Sequence, residues 1–510
     1  MLPQLSIITA SLNQGAYLPD ALASVAGQRG VSCEHLVFDP GSLDGSRATL
    51  AAFAARAPHV RVFFEKDGGA ADALNKGFAA AQGKIIGWLD SDDVYASDDA
   101  LAQVHAAFAA QPEADLLYAR GAWMDANGAM GASAPFEPDA SRMLEALQRG
   151  EAFVRPAAFF RRSLLERIGP LDTGYQSAFD IDFWLRAAAA GARFAALDAD
   201  VVRKRVHRQA FSQLLPGVRA MEAARATRRL CGRASVAWIA RAMAADVADA
   251  PGAEEVRARV CAATARRLDR GGAEQPLIVL GNGPSLAGFD FDQLRGRDVI
   301  GMNAAYRHWR KIGWHPRYYA CLDDVVGLSH RAEIADMIER AEALGIDAFL
   351  LRDNLISTFP PALQQSARVL NFDVLYGAGG VMDCHPITTG SHAALFGALL
   401  GYTEMILLGV DCTYVETISG AEAREGTVLE LVEAPAQNPN YYFDDYQRAG
   451  DRYNVPNPVP GLHLDCWRAA GARLLGRGVS VSNAGETSRV DVFPHRSFAR
   501  LERRFSESGE

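Results

Sequence analysis

Carboxylates two residues apart at the mouth of an apolar run can hold a hard divalent cation, and that cation can clamp a diphosphate. Residues 87–93, GWLDSDD, have this form: Ile85, Ile86, Trp88 and Leu89 read as a buried strand, and Asp90, Asp92 and Asp93 stand where it emerges. An isolated Asp-x-Asp at a turn is ordinarily a solvated pair, but this one has company upstream. The run LSIITASLN delivers Asn13, HLVFDPGSLDGS delivers Asp39, and RVFFEKDGGAADALNKG delivers Asp67 and Lys76. Asp39 could accept hydrogen bonds from a base or ribose, whereas Ser42 and Ser46 fit turn and helix caps.

A second set of polar residues lies in the other half. LIVLGNGPSL ends in a turn where Gly281 and Gly283 permit close approach to a phosphate, with Asn282 and Ser285 beside them. The run DVIGMNAAY presents Asn303, so Asn282 and Asn303 could converge on one polar ligand. PITTGSHAALFGALLGYTEMILLGVDCTY carries a Thr389–Gly390 turn, then a strand leading to Asp411 and Tyr414. His463 opens the last large helix, after an irregular loop at 438–460 that holds Tyr441, Tyr442 and Tyr446. Cys384, His385 and His392 lie close together, but their spacing follows no zinc pattern.

Strands and helices must alternate to bring such residues together. In both halves apolar runs of strand length alternate with helical stretches at the spacing of parallel βαβ units. Ligands of open α/β sheets bind at the carboxyl ends of the strands, where these polar residues are expected.

The segments SIITASLN, FDPGSLDGS, EKDGGAADALNKG, DSDD and FDIDFWLR, in this order over Leu5 to Arg208, resemble the family 2 inverting glycosyltransferases of the GT-A fold. The resemblance implies that Asp39 contacts the nucleoside and that Asp90 and Asp92 handle Mg2+ or Mn2+ and the donor diphosphate. Asn13, Asp67 and Lys76 fall in its donor-binding segments. It also implies a carboxylate base from an acidic pair before an apolar run and an Arg. The pattern here is AFDIDFWLR, with Phe179 where the first acid is expected and Asp180 at the second. Asp180 is therefore the expected base and Asp182 the second choice. Asp182 also suits the first turn of a helix, where a carboxylate favours the macrodipole. Inversion needs one displacement, with the base removing the acceptor hydroxyl proton.

GNGPSL, the Asn of GMNAAY, the 386–414 segment and His463 resemble the family 42 bacterial sialyltransferases and related users of CMP-activated keto-sugar acids, over about Pro276 to Val492. This resemblance implies a Rossmann-like fold without a metal cofactor. Asn282, Gly283, Ser285, Asn303, Thr389 and Gly390 would form the CMP site, His463 the general base, and Tyr414 a tyrosine steadying the leaving phosphate.

The expected fold class is α/β, with two nucleotide-binding Rossmann-like α/β domains, GT-A at 1–208 and sialyltransferase-like at 273–500. A helical connector spans 209–272 and a frayed tail 501–510. The connector is rich in arginine, with Arg225, Arg228, Arg229, Arg233 and Arg241 at near-helical spacing. Such a face is ordinarily solvated; peripheral contact with anionic lipid or glycan is its alternative. A chain of 510 residues accommodates two large cores. A net charge of −9 does not suggest nucleic-acid binding, and no apolar run is long enough to span a membrane. Seven scattered cysteines and a start that reads as a strand fit a cytoplasmic protein. The expected function is a bifunctional glycosyltransferase building a bacterial surface glycan. It would use a nucleotide-diphosphate sugar, a CMP-sugar and a glycan or lipid-linked glycan acceptor. The alternatives for the second half are a non-catalytic acceptor- or partner-binding module and a nucleotide-dependent phosphotransferase.

Overall fold

The computed structural model describes residues 2–207, 210, 216–244, 246–247, 252–270, 275–435, 437–456 and 458–500. The tail at 501–510 lies outside the described residues, as do several residues of the expected connector at 209–272. The chain divides into two compact units, Met1–Ala242 and Met243–Glu510.

The first unit is built on a nine-stranded sheet. Its strands are β1 (Leu5–Ala10), β2 (Cys33–Phe38), β3 (Val60–Phe63), β4 (Ile85–Trp88), β5 (Val94–Tyr95), β6 (Leu116–Met124), β7 (Met130–Ser133), β8 (Ala158–Arg161) and β9 (Phe194–Arg205). The order is β3-β2-β1-β4-β8-β6-β9-β5, with β7 paired to β6. Strands β1 to β4 are parallel, and β8 runs antiparallel to both β4 and β6. Strands covered on both faces are rich in apolar residues, which makes β1 and β4 recognisable even though Ser6 and Thr9 interrupt β1. The order reverses between β1 and β4, so a crevice opens there at the strand ends. Helix Ala70–Ala80 lies tightly on β1: a Cβ on Gly77 would come within 2.3 Å of the Ile8 side chain. Trp88 at the end of β4 packs on Trp184 with ring centroids 5.2 Å apart. That contact fixes helix Phe179–Ala189 beneath the loop carrying Asp90.

The second unit is built on a seven-stranded parallel sheet of order β14-β13-β12-β11-β10-β15-β19. Its strands are β10 (Leu277–Leu280), β11 (Val299–Met302), β12 (Tyr318–Cys321), β13 (Ala348–Leu351), β14 (Val369–Asn371), β15 (Glu404–Leu408) and β19 (Ser480–Asn483). The order reverses between β10 and β15. Helix Thr389–Leu399 is buried except at Gly390, its apolar residues covered on all sides. Strands β16 (Ala421–Ala423), β17 (Val428–Leu431) and β18 (Arg452–Asn454) form a small antiparallel sheet, so the loop read as irregular at 438–460 contains a strand.

The helical connector expected at 209–272 is not a separate body. Helix Pro216–Cys231 packs on helix Phe179–Ala189 within the first unit, and helix Ala253–Asp269 packs on β14 within the second. The arginine face is partly consumed internally, since Arg229 pairs with Asp172 and Asp182.

Candidate active sites

In the first unit the loops after β1, β3 and β4 surround a cavity of about 630 Å³. Asn13, Asp67, Asp90 and Asp92 line it, as expected from sequence. Asn13 adopts a left-handed backbone (φ 53°). Its N–H donates to Ser42 Oγ (2.8 Å) and its Oδ1 accepts the Leu43 N–H (2.9 Å), so it also braces the second loop. Asp39 is fully buried: Oδ1 accepts the N–H groups of Gly41 and Ser42, while Oδ2 has no partner among the described residues. Asp39 does not itself line the cavity, although its neighbour Pro40 does; its open buried acceptor is the feature that suits a ligand donor. Burial pushes the Asp67 carboxyl up, opposed by the Gly69 N–H and Lys76. Lys76 itself does not line the cavity; its Nζ donates to the Lys66 carbonyl (2.6 Å) and pairs with Asp72 (3.2 Å).

Carboxylate oxygens of Asp90, Asp92 and Asp93 lie within 4.8 Å of one another. Three hard oxygens so close fit Mg2+ or Mn2+, and the Asp92 Oδ2 is 2.9 Å from His207 Nε2. Asp90 also carries protein cations. Arg155 Nη2 lies 2.6 Å from both of its oxygens, and Lys204 Nζ lies 3.1 Å from Oδ2. Burial alone would raise the Asp90 pKa, but Arg155 and Lys204 hold it well below the usual carboxylate range. Arg155, Phe179 and Lys204 line the cavity and were not anticipated as site residues; His207 was likewise missed. Basic residues in VRPAAFF and VVRKRVHR were the only signal.

The two carboxylates of AFDIDFWLR do not line this cavity, although Phe179 does. Asp180 is buried and gripped by Arg219 through both oxygens (2.8 and 3.0 Å). Burial raises its pKa, but Arg219 and then Arg155 outweigh that and hold it below the ordinary value. Asp182 is fully buried and paired with Arg186 (2.8 Å) and Arg229. It therefore serves helix Phe179–Ala189 as an internal ion-pair anchor.

In the second unit the ends of β10, β11 and β15 surround a cavity of about 430 Å³ at the switch in strand order. Asn282, Gly283, Asn303 and Thr389 line it, together with Gly390, Tyr414 and His463. The Oδ1 atoms of Asn282 and Asn303 are buried without partners among the described residues, leaving two acceptors open. Asn282 Nδ2 donates to Tyr446 Oη (3.0 Å), so one loop tyrosine is tied to the glycine turn. Ser285 is the exception to the expected CMP site. Its N–H and hydroxyl both donate to Asp411 (2.8 and 2.5 Å), it does not line the cavity, and its role is to cap the turn.

His463 Nε2 lies 2.7 Å from the Pro456 carbonyl. A carbonyl only accepts, so Nε2 carries the proton and Nδ1 the lone pair. Burial depresses the imidazole pKa, partly offset by that hydrogen bond. The ring packs on Tyr414 at 4.7 Å, and burial holds the Tyr414 hydroxyl well above its usual pKa, as a neutral donor.

Comparison with known proteins places the first unit. The family model for glycosyl transferase family 2 matches residues 6–169. The chain is 37% identical over 192 residues to the O-antigen biosynthesis protein RfbC of Myxococcus xanthus, covering 37% of this chain but 15% of that protein. It is 31% identical over 185 residues to a PGL/p-HBAD biosynthesis glycosyltransferase of Mycobacterium tuberculosis, covering 36% of this chain and 69% of that one. Among solved structures, S. aureus TarS 1–349 in complex with UDP-GlcNAc aligns at 18% identity and TM-score 0.40, over 52% of this chain and 81% of that one. That likeness is too slight to bear on substrate. No helix among the described residues is long and apolar enough to cross a membrane. By the family match and the Mycobacterium relative, the chain belongs to glycosyl transferase family 2.

Proposed function

We propose that the first unit transfers a sugar, with inversion, from a nucleotide-diphosphate donor to a growing bacterial surface glycan. The observation that carries this reading is the Asp90–Asp92–Asp93 cluster at the β1/β4 switch point, facing a cavity large enough for a nucleotide sugar. Mg2+ or Mn2+ held by Asp92 and Asp90 would stabilise negative charge on the departing diphosphate. Asp39 Oδ2 accepts a hydrogen bond from the nucleoside. Asp180 is the proposed base: its depressed pKa keeps it ionised, and it must part from Arg219 to take the acceptor proton.

A second reading concerns the second unit, which we propose transfers a CMP-linked keto-sugar acid, sialic-acid-like or Kdo, without metal. It is favoured by the meeting of five sequence-distant positions, at 282–283, 303, 389–390, 414 and 463, on one cavity at a strand-order switch. His463 takes the acceptor proton at Nδ1 and Tyr414 donates to the leaving phosphate. CMP leaves with less charge to neutralise than a diphosphate, so hydrogen-bond donors can replace a cation. Two transferases on one chain raise the local concentration of each intermediate for the next step. Incubating the full chain with UDP-, GDP-, dTDP- and CMP-sugars and following nucleotide release tests both readings. Release of a nucleoside diphosphate and of CMP is expected; no CMP release with no CMP binding would leave the second unit as a non-catalytic module.

A further inference from the structure

One of the three carboxylates that could hold a divalent ion is already occupied by the protein's own cations. Both oxygens of Asp90 meet Arg155 Nη2 at 2.6 Å, and Lys204 Nζ bridges Asp90 (3.1 Å) and Asp93 (3.4 Å). Neither cation is surface decoration, because the Arg155 and Lys204 side chains are 13% and 14% exposed and both line the donor cavity. The guanidinium of Arg155 lies over the Phe179 ring, 5.2 Å from its centroid. A ring supports a guanidinium without cancelling its charge, whereas an acid at position 179 would pair with it and draw it off Asp90. Arg155 Nε is buried without a partner among the described residues, so the side chain retains an unused donor. Two of the cluster's three carboxylates, Asp90 and Asp93, are thus already met by protein cations, which weakens their attraction for a lone divalent ion.

We propose that Arg155, backed by Lys204, is a resident counter-ion of Asp90 that passes to the donor's diphosphate, so that metal and diphosphate bind cooperatively. In the nucleotide-free protein Arg155 occupies the carboxylate a metal would use. An arriving diphosphate offers the planar guanidinium a bidentate partner and frees Asp90 for the ion. By linkage, each ligand then strengthens the other by the same factor. This inference rests on the nucleotide-diphosphate reading of the first unit.

The test measures binding on the full chain, so it does not depend on turnover of any nucleotide sugar. Mn2+ binding is followed by electron paramagnetic resonance, and pyrophosphate binding in EDTA by calorimetry, for the wild type, Arg155→Met and Arg155→Lys. Arg155→Met should bind Mn2+ about tenfold more tightly without pyrophosphate, and pyrophosphate about tenfold more weakly without metal. Arg155→Lys keeps the charge but not the bidentate fork, so it should stay near wild type in Mn2+ affinity and lose pyrophosphate affinity by less than Arg155→Met. A merely structural role would weaken both ligands together, and that result, or an unchanged Mn2+ affinity, overturns the proposal. If Arg155→Met does not fold, Phe179→Glu stands in. It leaves Arg155 present but gives it another carboxylate, and must shift the two affinities in the same opposite directions. A protein inert to every nucleotide sugar yet showing this opposed shift would retain the counter-ion and lose the transferase reading.

Discussion

At the scale of residues, the two sites differ in how they manage protons. Asp180 is held ionised by Arg219, so its removal should cost chemistry and not donor binding. Asp180→Asn should lower first-unit transfer by roughly 10²–10⁴ with donor affinity preserved, measured by steady-state kinetics beside calorimetry. An undiminished rate in Asp180→Asn would remove Asp180 as the base; Asp182→Asn, which breaks a buried ion-pair anchor, should instead lower the melting temperature. His463 has its pKa depressed by burial, so its imidazole is neutral at pH 7 and protonates only below its ordinary value near 6.5. CMP-dependent transfer should therefore rise through that lowered pKa and be flat above neutrality; an acid limb above pH 7 would contradict His463 as base. Asp90 and Asp92 were legible because an apolar run leads directly into them. Arg155 and Lys204 were not, because they reach Asp90 from 65 and 114 residues away. Lys76 lies off the cavity because its contacts are local, with Asp72 and the Lys66 carbonyl.

At the scale of elements, both cavities lie where parallel strand order reverses, and close backbone contacts shape them. A Cβ on Gly281 would fall 2.2 Å from the Gly409 carbonyl oxygen, so the ends of β10 and β15 touch only because no side chain intervenes. Gly281→Ala should destabilise the second unit by about 1–3 kcal/mol and weaken CMP binding, read by thermal unfolding and calorimetry. Unchanged CMP affinity would mean that this crossing does not form the nucleotide floor. The strands and the helix opened by His463 were readable from apolar runs and cap positions. The helix Pro216–Cys231 was readable as a helix but not as a partner, because an Arg-rich Ala-rich sequence does not say which acids its arginines meet. Those acids are Asp180 and Glu151 for Arg219, and Asp172 and Asp182 for Arg229. Arg219→Met leaves the buried Asp180 charge without its main partner and should destabilise the first unit by about 3–5 kcal/mol.

At the scale of the whole molecule, the chain joins two sheets, each with a cavity at its own switch point. The boundary falls after Ala242, inside the stretch read as a connector, because packing and not composition decides where a helix belongs. Stability should follow the acids that the first unit holds low. Asp90 and Asp180 have folded pKa values below the unfolded one, so their contribution is complete above the ordinary carboxylate value. It is lost as pH falls through the folded values. The melting temperature of the full chain should drop on acidification below about pH 4, and less so in Asp180→Asn. An equal drop in both would assign the acid lability elsewhere. The central claim, a nucleotide-diphosphate sugar transferase built around the Asp90–Asp92 cluster, is tested most directly by nucleotide release from wild type, Asp92→Ala and His463→Ala given both donor classes. The account predicts that Asp92→Ala loses nucleoside diphosphate release and keeps CMP release, with His463→Ala showing the reverse. Nucleoside diphosphate release at the wild-type rate from Asp92→Ala would contradict it.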